Sequence, residues 1–475
     1  MLSSVRYLTV LSLGVALLCP AAARVLPSEV ETALERAKVP REALSVVVQE
    51  VGSASSRLSW QPERSVNPAS LMKLVTTDAA LDILGPAWTW TTPVWLQGTV
   101  HDGVLEGNLV VKGSGDPKLV LERVWLMLRR VQQLGVREIR GDIVLDRSAF
   151  SLPEVAPGDF DGEPLRPQNV QPDALLLNYR SILVTFTPDP ARNVAAVVVE
   201  PPLAGVRTDA TVPLATGPCD DWRTALKAEL TDPARLRFAG SYSAACGERQ
   251  WPVAYVDPKS YNERLLAGLW REMGGTLSGV VREGVAPAGP ASFTLTSPAL
   301  AELVRDINKF SNNVMAQQLF LTLGHVMRGS GTREGARQVV QDWLATRFGA
   351  TAQGTVLDNG SGLSRESRTT AALLAQLLQS AWAGPAMPEL ASSLPVIGVD
   401  GTMQRTKTQL GRAHLKSGSL RDVAGIAGYV LSARGKRYVL VAVINHPNAN
   451  AARPALEALV QWTAGDPRAQ RKDPD

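Results

Sequence analysis

Ser70-Leu-Met-Lys73 is the one place in the 475-residue chain where a serine precedes a lysine by three positions. On a helix such residues share a face, so the amine reaches the hydroxyl. A serine hydroxyl becomes a useful nucleophile only when a neighbour takes its proton, and a neutral lysine can do this. Neutrality is the obstacle: an ordinary lysine titrates near 10.4, leaving only ~0.04% as free base at pH 7. Lowering that value by ~3 pH units costs about 4 kcal/mol, which burial and a second nearby cation supply. Lys416-Ser417-Gly418-Ser419 offers that cation, near the end of a strand-like run. Lysine and hydroxyl on a strand present an ammonium and an OH to a carboxylate, and Gly418 lets the backbone pass close to a ligand. The N–H groups of Ser70 and Ser419 would together form an oxyanion hole. Taken alone, Lys416 also fits a solvated strand position.

Ser-x-Asn supplies a third polar element, and it occurs at Ser65-Val-Asn67, Ser260-Tyr-Asn262 and Ser311-Asn-Asn313. The first lies too close to Ser70 to form a separate wall of a pocket, and the second opens a helix. Ser311 and Asn313 are preferred on order and context, although any of the three also reads as a helix cap. Other chemistries lack their signatures. The four histidines are scattered, with none in the HExxH spacing of a zinc site. There is no Gly-x-Ser-x-Gly elbow, Ser361-Gly-Leu-Ser364 has no suitable context, and no phosphate-binding loop is seen. No metal and no cofactor is expected.

The elements that would carry these residues follow from periodicity. Residues 44–51 alternate and are valine-rich, which predicts a strand. Asn67 then suits an N-cap and Pro68 a first helical turn, so Ser70 falls in the first turn, where free N–H groups favour negative charge. The helix runs through Leu84 and stops at Gly85-Pro86. From Thr89 to about Val256 short alternating runs predict a mostly β region, interrupted by one helix over 119–134. Helices are expected at 261–273, 297–310, 313–327, 335–347, 370–383 and 453–464. Strands are expected at 413–419, 426–432 and 437–445, the last two joined as a hairpin. Together these predict one α/β domain interrupted by a long insertion.

Composition restricts the class. At 45% apolar and 20% charged residues the chain is globular, and a net charge of +4 carries no nucleic-acid-binding block. Arg6, a 12-residue apolar run and Ala21-Ala-Ala23 read as a secretory signal peptide cut after Ala23, since the run is short for a span of ~20 residues. No further stretch is long enough to cross a membrane, so the mature chain is expected to be soluble and outside the cytoplasm. Cys19 goes with the leader, leaving Cys219 and Cys246, for which an exported protein makes a disulfide the expected state.

As an ordered set, Ser-x-x-Lys, Ser-x-Asn and Lys-[Ser/Thr]-Gly form the signature of penicillin-recognising serine enzymes. Nearly the whole mature chain resembles the class C low-molecular-mass penicillin-binding proteins, the D-alanyl-D-alanine carboxypeptidase/endopeptidases of peptidase family S13. The resemblance rests on residues 67–76, 107–117, 139–146, 310–316, 358–365 and 416–420. Residue 417 departs from it: the family usually has threonine where Ser417 stands, so the hydroxyl survives without its methyl.

The resemblance implies an α/β fold with a β-lactamase/transpeptidase-like domain, an antiparallel sheet covered by helices, interrupted by a mostly β insertion of two nested domains. The expected division is a signal peptide at 1–23, a catalytic domain at 24–87 and 260–466, and a polar tail at 467–475. Between these would lie a second domain at 88–165 and 240–259 and a nested third at 166–239, with Cys219 and Cys246 both inside this insertion. The implied reaction cleaves a D-Ala-D-Ala bond in peptidoglycan stem peptides in the periplasm, with β-lactams as covalent inhibitors. Ser70 would be the nucleophile, Lys73 the proton acceptor and Ser311 the proton relay. Asn313 would hold the substrate amide, and Lys416 with Ser417 the terminal carboxylate, with Ser419 beside them. The alternatives are a β-lactamase, an esterase or other amidase on the same scaffold, and a catalytically silent envelope protein that binds peptidoglycan.

Overall fold

The computed structural model describes residues 25–465, so the expected leader and the polar tail lie outside the described residues. Five antiparallel strands form the sheet that carries the site, in the order Ala413–Leu420, Val423–Leu431, Arg437–Asn445, Leu44–Glu50, Ser56–Trp60. Side chains on a strand alternate between faces, and here both faces are apolar because both are covered. Val46, Val48, Leu440, Ala442 and Ile444 face one layer, the helices Ser28–Arg36 and Arg453–Gly465 with Val30, Leu34, Leu456 and Leu459. Val47, Val439, Val441 and Val443 face the other, which includes Met72–Leu84, Asn313–Arg328 and Ala371–Ala383.

The chain leaves this unit at Trp90 and returns at Ser297, and the two points are bonded to each other. Ser297 N donates to Trp90 O at 2.9 Å, and Trp90 N donates to Ser297 Oγ at 2.9 Å. Between them, Thr91–His101, Val104–Lys112, Glu138–Ile139, Ile143–Asp146, Thr276–Leu277, Val281–Glu283 and Phe293–Thr296 share a seven-stranded sheet. A five-stranded sheet of Tyr242–Ser243, Thr211–Ala215, Val194–Glu200, Ser181–Asp189 and Arg249–Ala254 follows, beside a three-stranded one. The helix Leu121–Gln133 buries Val124, Met127, Leu128 and Val131 at helical spacing, as its pattern predicts.

The expected boundaries shift in two places. The return at residue 260 falls too early: Tyr261–Glu272 packs in the insertion's core, and the strands up to Thr296 pair with 91–146. Residues 240–259 pair with 181–189 and 211–215, so they extend the nested sheet and not the seven-stranded one. The disulfide Cys219–Cys246 is formed within that nested part. Among the described residues no helix is long and apolar enough to cross a membrane.

Candidate active site

Ser70 lies on a single 3-10 turn, Ala69–Leu71, immediately ahead of the α-helix Met72–Leu84, and not in the helix's own first turn. Asn67 sets this turn. Its Oδ1 accepts from Ala69 N at 2.9 Å, its Nδ2 donates to Ser364 O at 2.9 Å, and its main chain exchanges two hydrogen bonds with the Asn445 amide. Ala69 is thereby held at φ 48°, and Ser311 sits at φ 54°. Each such backbone costs of order 1–3 kcal/mol and persists only where the surroundings over-determine it.

Three elements converge on Lys73. Its Nζ is 3.0 Å from Ser70 Oγ, 2.6 Å from Asn313 Oδ1 and 2.6 Å from Ser361 O. Asn313 opens the helix Asn313–Arg328, but the capping bond is made by Asn312, whose Oδ1 accepts from Met315 N at 3.0 Å. The cap therefore uses Asn312 and leaves Asn313 to the pocket. Lys73 is fully buried, and this burial, followed by repulsion from Lys416, holds its amine well below the ordinary lysine range. A neutral amine has two N–H donors and one lone pair. Asn313 Oδ1 and Ser361 O can only accept, so they take both hydrogens and the lone pair is left for the Ser70 hydroxyl. This is the geometry of a general base.

Lys416 Nζ donates to Ser311 Oγ at 2.8 Å and to Ser417 O at 2.7 Å. It too is fully buried, and desolvation brings its pKa down to about 7. Ala413 O and Leu415 N face the outer edge of the strand, bonded to Ile397 N and Pro395 O. Alternation sends the N–H groups of Ser417 and Ser419 to that same edge. The Ser419 side chain turns away, accepting from Arg453 Nη2 at 2.8 Å, so only its main chain faces the site. Gly418 serves contact between elements and not ligand approach: a Cβ there would come within 2.7 Å of Pro68 O and 3.1 Å of Leu71 Cγ.

The other two Ser-x-Asn pairs lie elsewhere. Asn262 donates to Leu175 O inside the insertion, Ser260 Oγ bonds Asp257, and Asn67 is spent on the Ser70 turn. The pattern reading missed Ser361, whose carbonyl completes the Lys73 shell. Thr76 Oγ1 donates to Gly360 O at 2.6 Å, and a Cβ at Gly362 would lie 1.9 Å from Ala69 O, so the 359–363 loop is pressed onto the Ser70 turn. The sequence hints were the Gly-rich run 360–362 and the family-like stretch 358–365 around it. Thr402, 2.7 Å from Ser417 Oγ, was also missed. Among the described residues no cluster of metal-ligating side chains is found.

A family profile described as the D-Ala-D-Ala carboxypeptidase 3 (S13) family matches residues 26–465. The D-alanyl-D-alanine carboxypeptidase of Actinomadura sp. (strain R39) is 26% identical over 464 residues, covering 91% of this chain and 83% of that one. D-alanyl-D-alanine carboxypeptidase DacB of Haemophilus influenzae is 24% identical over 79% of this chain and 80% of its own. In fold, the crystal structure of penicillin-binding protein 4 from H. influenzae matches with a TM-score of 0.72 at 21% identity, over 91% of this chain and 99% of that one. A predatory endopeptidase of Bdellovibrio bacteriovorus matches with a TM-score of 0.54 at 17% identity, over 90% and 94%. The expected fold, a transpeptidase-like unit with inserted β-rich parts, is the one observed, and the chain belongs to the S13 family of D-Ala-D-Ala carboxypeptidases.

Proposed function

We propose that Ser70 is the acyl-ester nucleophile of this D-Ala-D-Ala carboxypeptidase and that Lys73 is its proton acceptor. The observation that carries this reading is the fully buried Lys73 amine, with two fixed acceptors and Ser70 Oγ at 3.0 Å. Ser70 Oγ attacks the carbonyl carbon of the penultimate D-alanine as its proton passes to Lys73 Nζ. The oxyanion forms against the N–H groups of Ser70 and Ser419. As the C–N bond breaks, the leaving amine takes a proton through Ser311, whose hydroxyl is bonded to Lys416. Water then hydrolyses the ester and frees Ser70. Asn313 holds the substrate amide, and Lys416 with Ser417 binds the terminal carboxylate.

The same residues would serve endopeptidase cleavage of cross-links between stem peptides, and the Bdellovibrio neighbour is named an endopeptidase. A β-lactam presents its strained amide to the same serine, and a penicillin G-acylated form of that neighbour is known. The substrate and the leader-like sequence at 1–23 favour a periplasmic location. The chain divides best into a catalytic unit of 25–90 and 297–465, an inserted unit built on the seven-stranded sheet, and a nested unit carrying the disulfide. Intact mass after mixing with benzylpenicillin tests the assignment. A stable single adduct mapped to Ser70 supports it. An adduct that vanishes within seconds while the antibiotic is consumed makes the protein a β-lactamase, and no adduct sinks the nucleophile.

A further inference from the structure

From the loop at 396–403 we infer that Thr402 is a positioning residue for the Ser417 hydroxyl and thereby sets recognition of the substrate's terminal carboxylate. This rests on the reading of Ser417 as a carboxylate ligand. Residues 395–397 run along the open edge of the strand Ala413–Leu420, with Ile397 N donating to Ala413 O at 2.9 Å and Leu415 N to Pro395 O at 2.8 Å. The chain then turns back through Asp400, whose two carboxylate oxygens are both engaged. Oδ1 accepts from Val396 N at 2.7 Å, and Oδ2 pairs at 2.6 Å with Nζ of the buried Lys309. Lys309 stands two residues before Ser311, so one ion pair ties this loop to the Ser311 segment. The 3-10 turn Gly401–Met403 follows, anchored by buried Met403, and delivers Thr402 Oγ1 to 2.7 Å from Ser417 Oγ.

A serine at 417 lacks the branched methyl that would stiffen its side-chain torsion. Its rotamer must therefore be chosen by a partner, and Thr402 is that partner. The direction of the bond matters. If Thr402 donates, Ser417 Oγ accepts and keeps its own hydrogen for a carboxylate oxygen, and a donor hydrogen-bonded in this way is polarised further. Lys416 fixes the other side by donating to Ser417 O.

Thr402→Val keeps the shape of this exposed residue and removes the bond; Thr402→Ser keeps the hydroxyl. We expect Thr402→Val to raise KM for a D-Ala-D-Ala-terminated peptide roughly fivefold, the scale of one neutral hydrogen bond, with kcat within twofold. Hydrolysis of an N-acyl-D-alanyl thioester with an uncharged leaving thiol should be unchanged, because that leaving group has no carboxylate. Thr402→Ser should behave as the parent on both. Equal losses on the two substrates, or no change on either, would overturn the inference. Should the valine variant fail to fold, Thr402→Ala is read by the same comparison. Failure of the underlying reading is seen separately in Ser417→Ala, where an unchanged KM for the peptide would show that Ser417 is not the carboxylate ligand.

Discussion

The catalytic unit and the nested β-rich unit are stabilised in opposite ways. Around the site, two lysines are fully buried and two non-glycine residues, Ala69 and Ser311, hold left-handed backbones. In the nested unit, Phe186 stacks on Tyr242 at 5.5 Å and meets Phe238 and Trp222 edge-on, beside a disulfide. Several ion pairs there, such as Arg192–Asp189 and Arg237–Glu229, lie on the surface and are worth little, while Arg180–Asp173 at its start is buried. One region buries two lysines whose hydrogen bonds go to no carboxylate, at a cost in stability, and the other gathers apolar area and a cross-link. Backbone strain does not separate them, since Asn193 and Lys227 of the nested unit are left-handed as well; the buried amines without an acid partner mark where the molecule trades stability for chemistry. The sharpest break of this contrast is Ser70→Ala, which should abolish acyl-enzyme formation and lower turnover by at least about 10⁴-fold, the scale of a lost nucleophile. Its melting temperature should be unchanged or raised. Retained turnover would refute the assignment.

The cross-link gives the complementary test. Replacing Cys219 and Cys246 by serine removes a constraint on a loop with a sequence separation of 27. The loss should be about 3 kcal/mol in the stability of the nested unit, with benzylpenicillin acylation within twofold of the parent. Urea unfolding followed by tryptophan fluorescence, which Trp222 and Trp251 report locally, measures the first effect. A matching loss of acylation would show the two units to be energetically one.

The same contrast explains what was legible in the sequence. Ser70 and Lys73 are readable because a helical repeat alone fixes their relation, and Lys416-Ser417-Gly418 because a strand does. Ser-x-Asn was ambiguous because caps and pockets use the same residue types, and the neighbouring Asn312 is in fact the cap. Ser361 contributes a carbonyl, which no residue type announces. Thr402 meets Ser417 only through a loop whose path depends on the Lys309–Asp400 pair. The helices that were expected were placed to within a few residues by their apolar period, while the shorter Ser28–Arg36 and Met387–Ser393 were not foreseen. The end of the insertion was not, because its last strands are two to four residues long and pair with segments more than a hundred residues away, below the reach of any local pattern.

Lys416 should be costly to the fold in a way that pH reveals. Its folded pKa of about 7 lies below the ordinary value of 10.5, so the unfolded chain binds the proton more tightly. The cost is full below about pH 7 and fades as pH rises toward the unfolded value. Lys416→Met should therefore stabilise the protein at pH 6 by about 2 kcal/mol, the desolvation relief being offset in part by the donors lost to Ser311 and Ser417. The gain should shrink toward pH 10. Denaturation curves at both values decide it, and a variant less stable at pH 6 than the parent would show that the ammonium is fully compensated in the fold.

The smallest effect separates the two lysines within the site. As the proposed base, Lys73 would act only when neutral, so kcat/KM should rise with pH through its lowered pKa and then level off. As the proposed carboxylate ligand, Lys416 would act only when charged, so kcat/KM for a peptide substrate should fall above about pH 7, approaching tenfold per pH unit, as the free enzyme loses that proton. The two limbs together give a bell for peptides ending in a free carboxylate. For an acyl thioester with an uncharged leaving group the falling limb should vanish while the rising limb stays, because only Lys73 is then required. A falling limb common to both substrates would mean that the Lys416 charge also supports the chemical step, through Ser311 Oγ at 2.8 Å or through its field at Lys73.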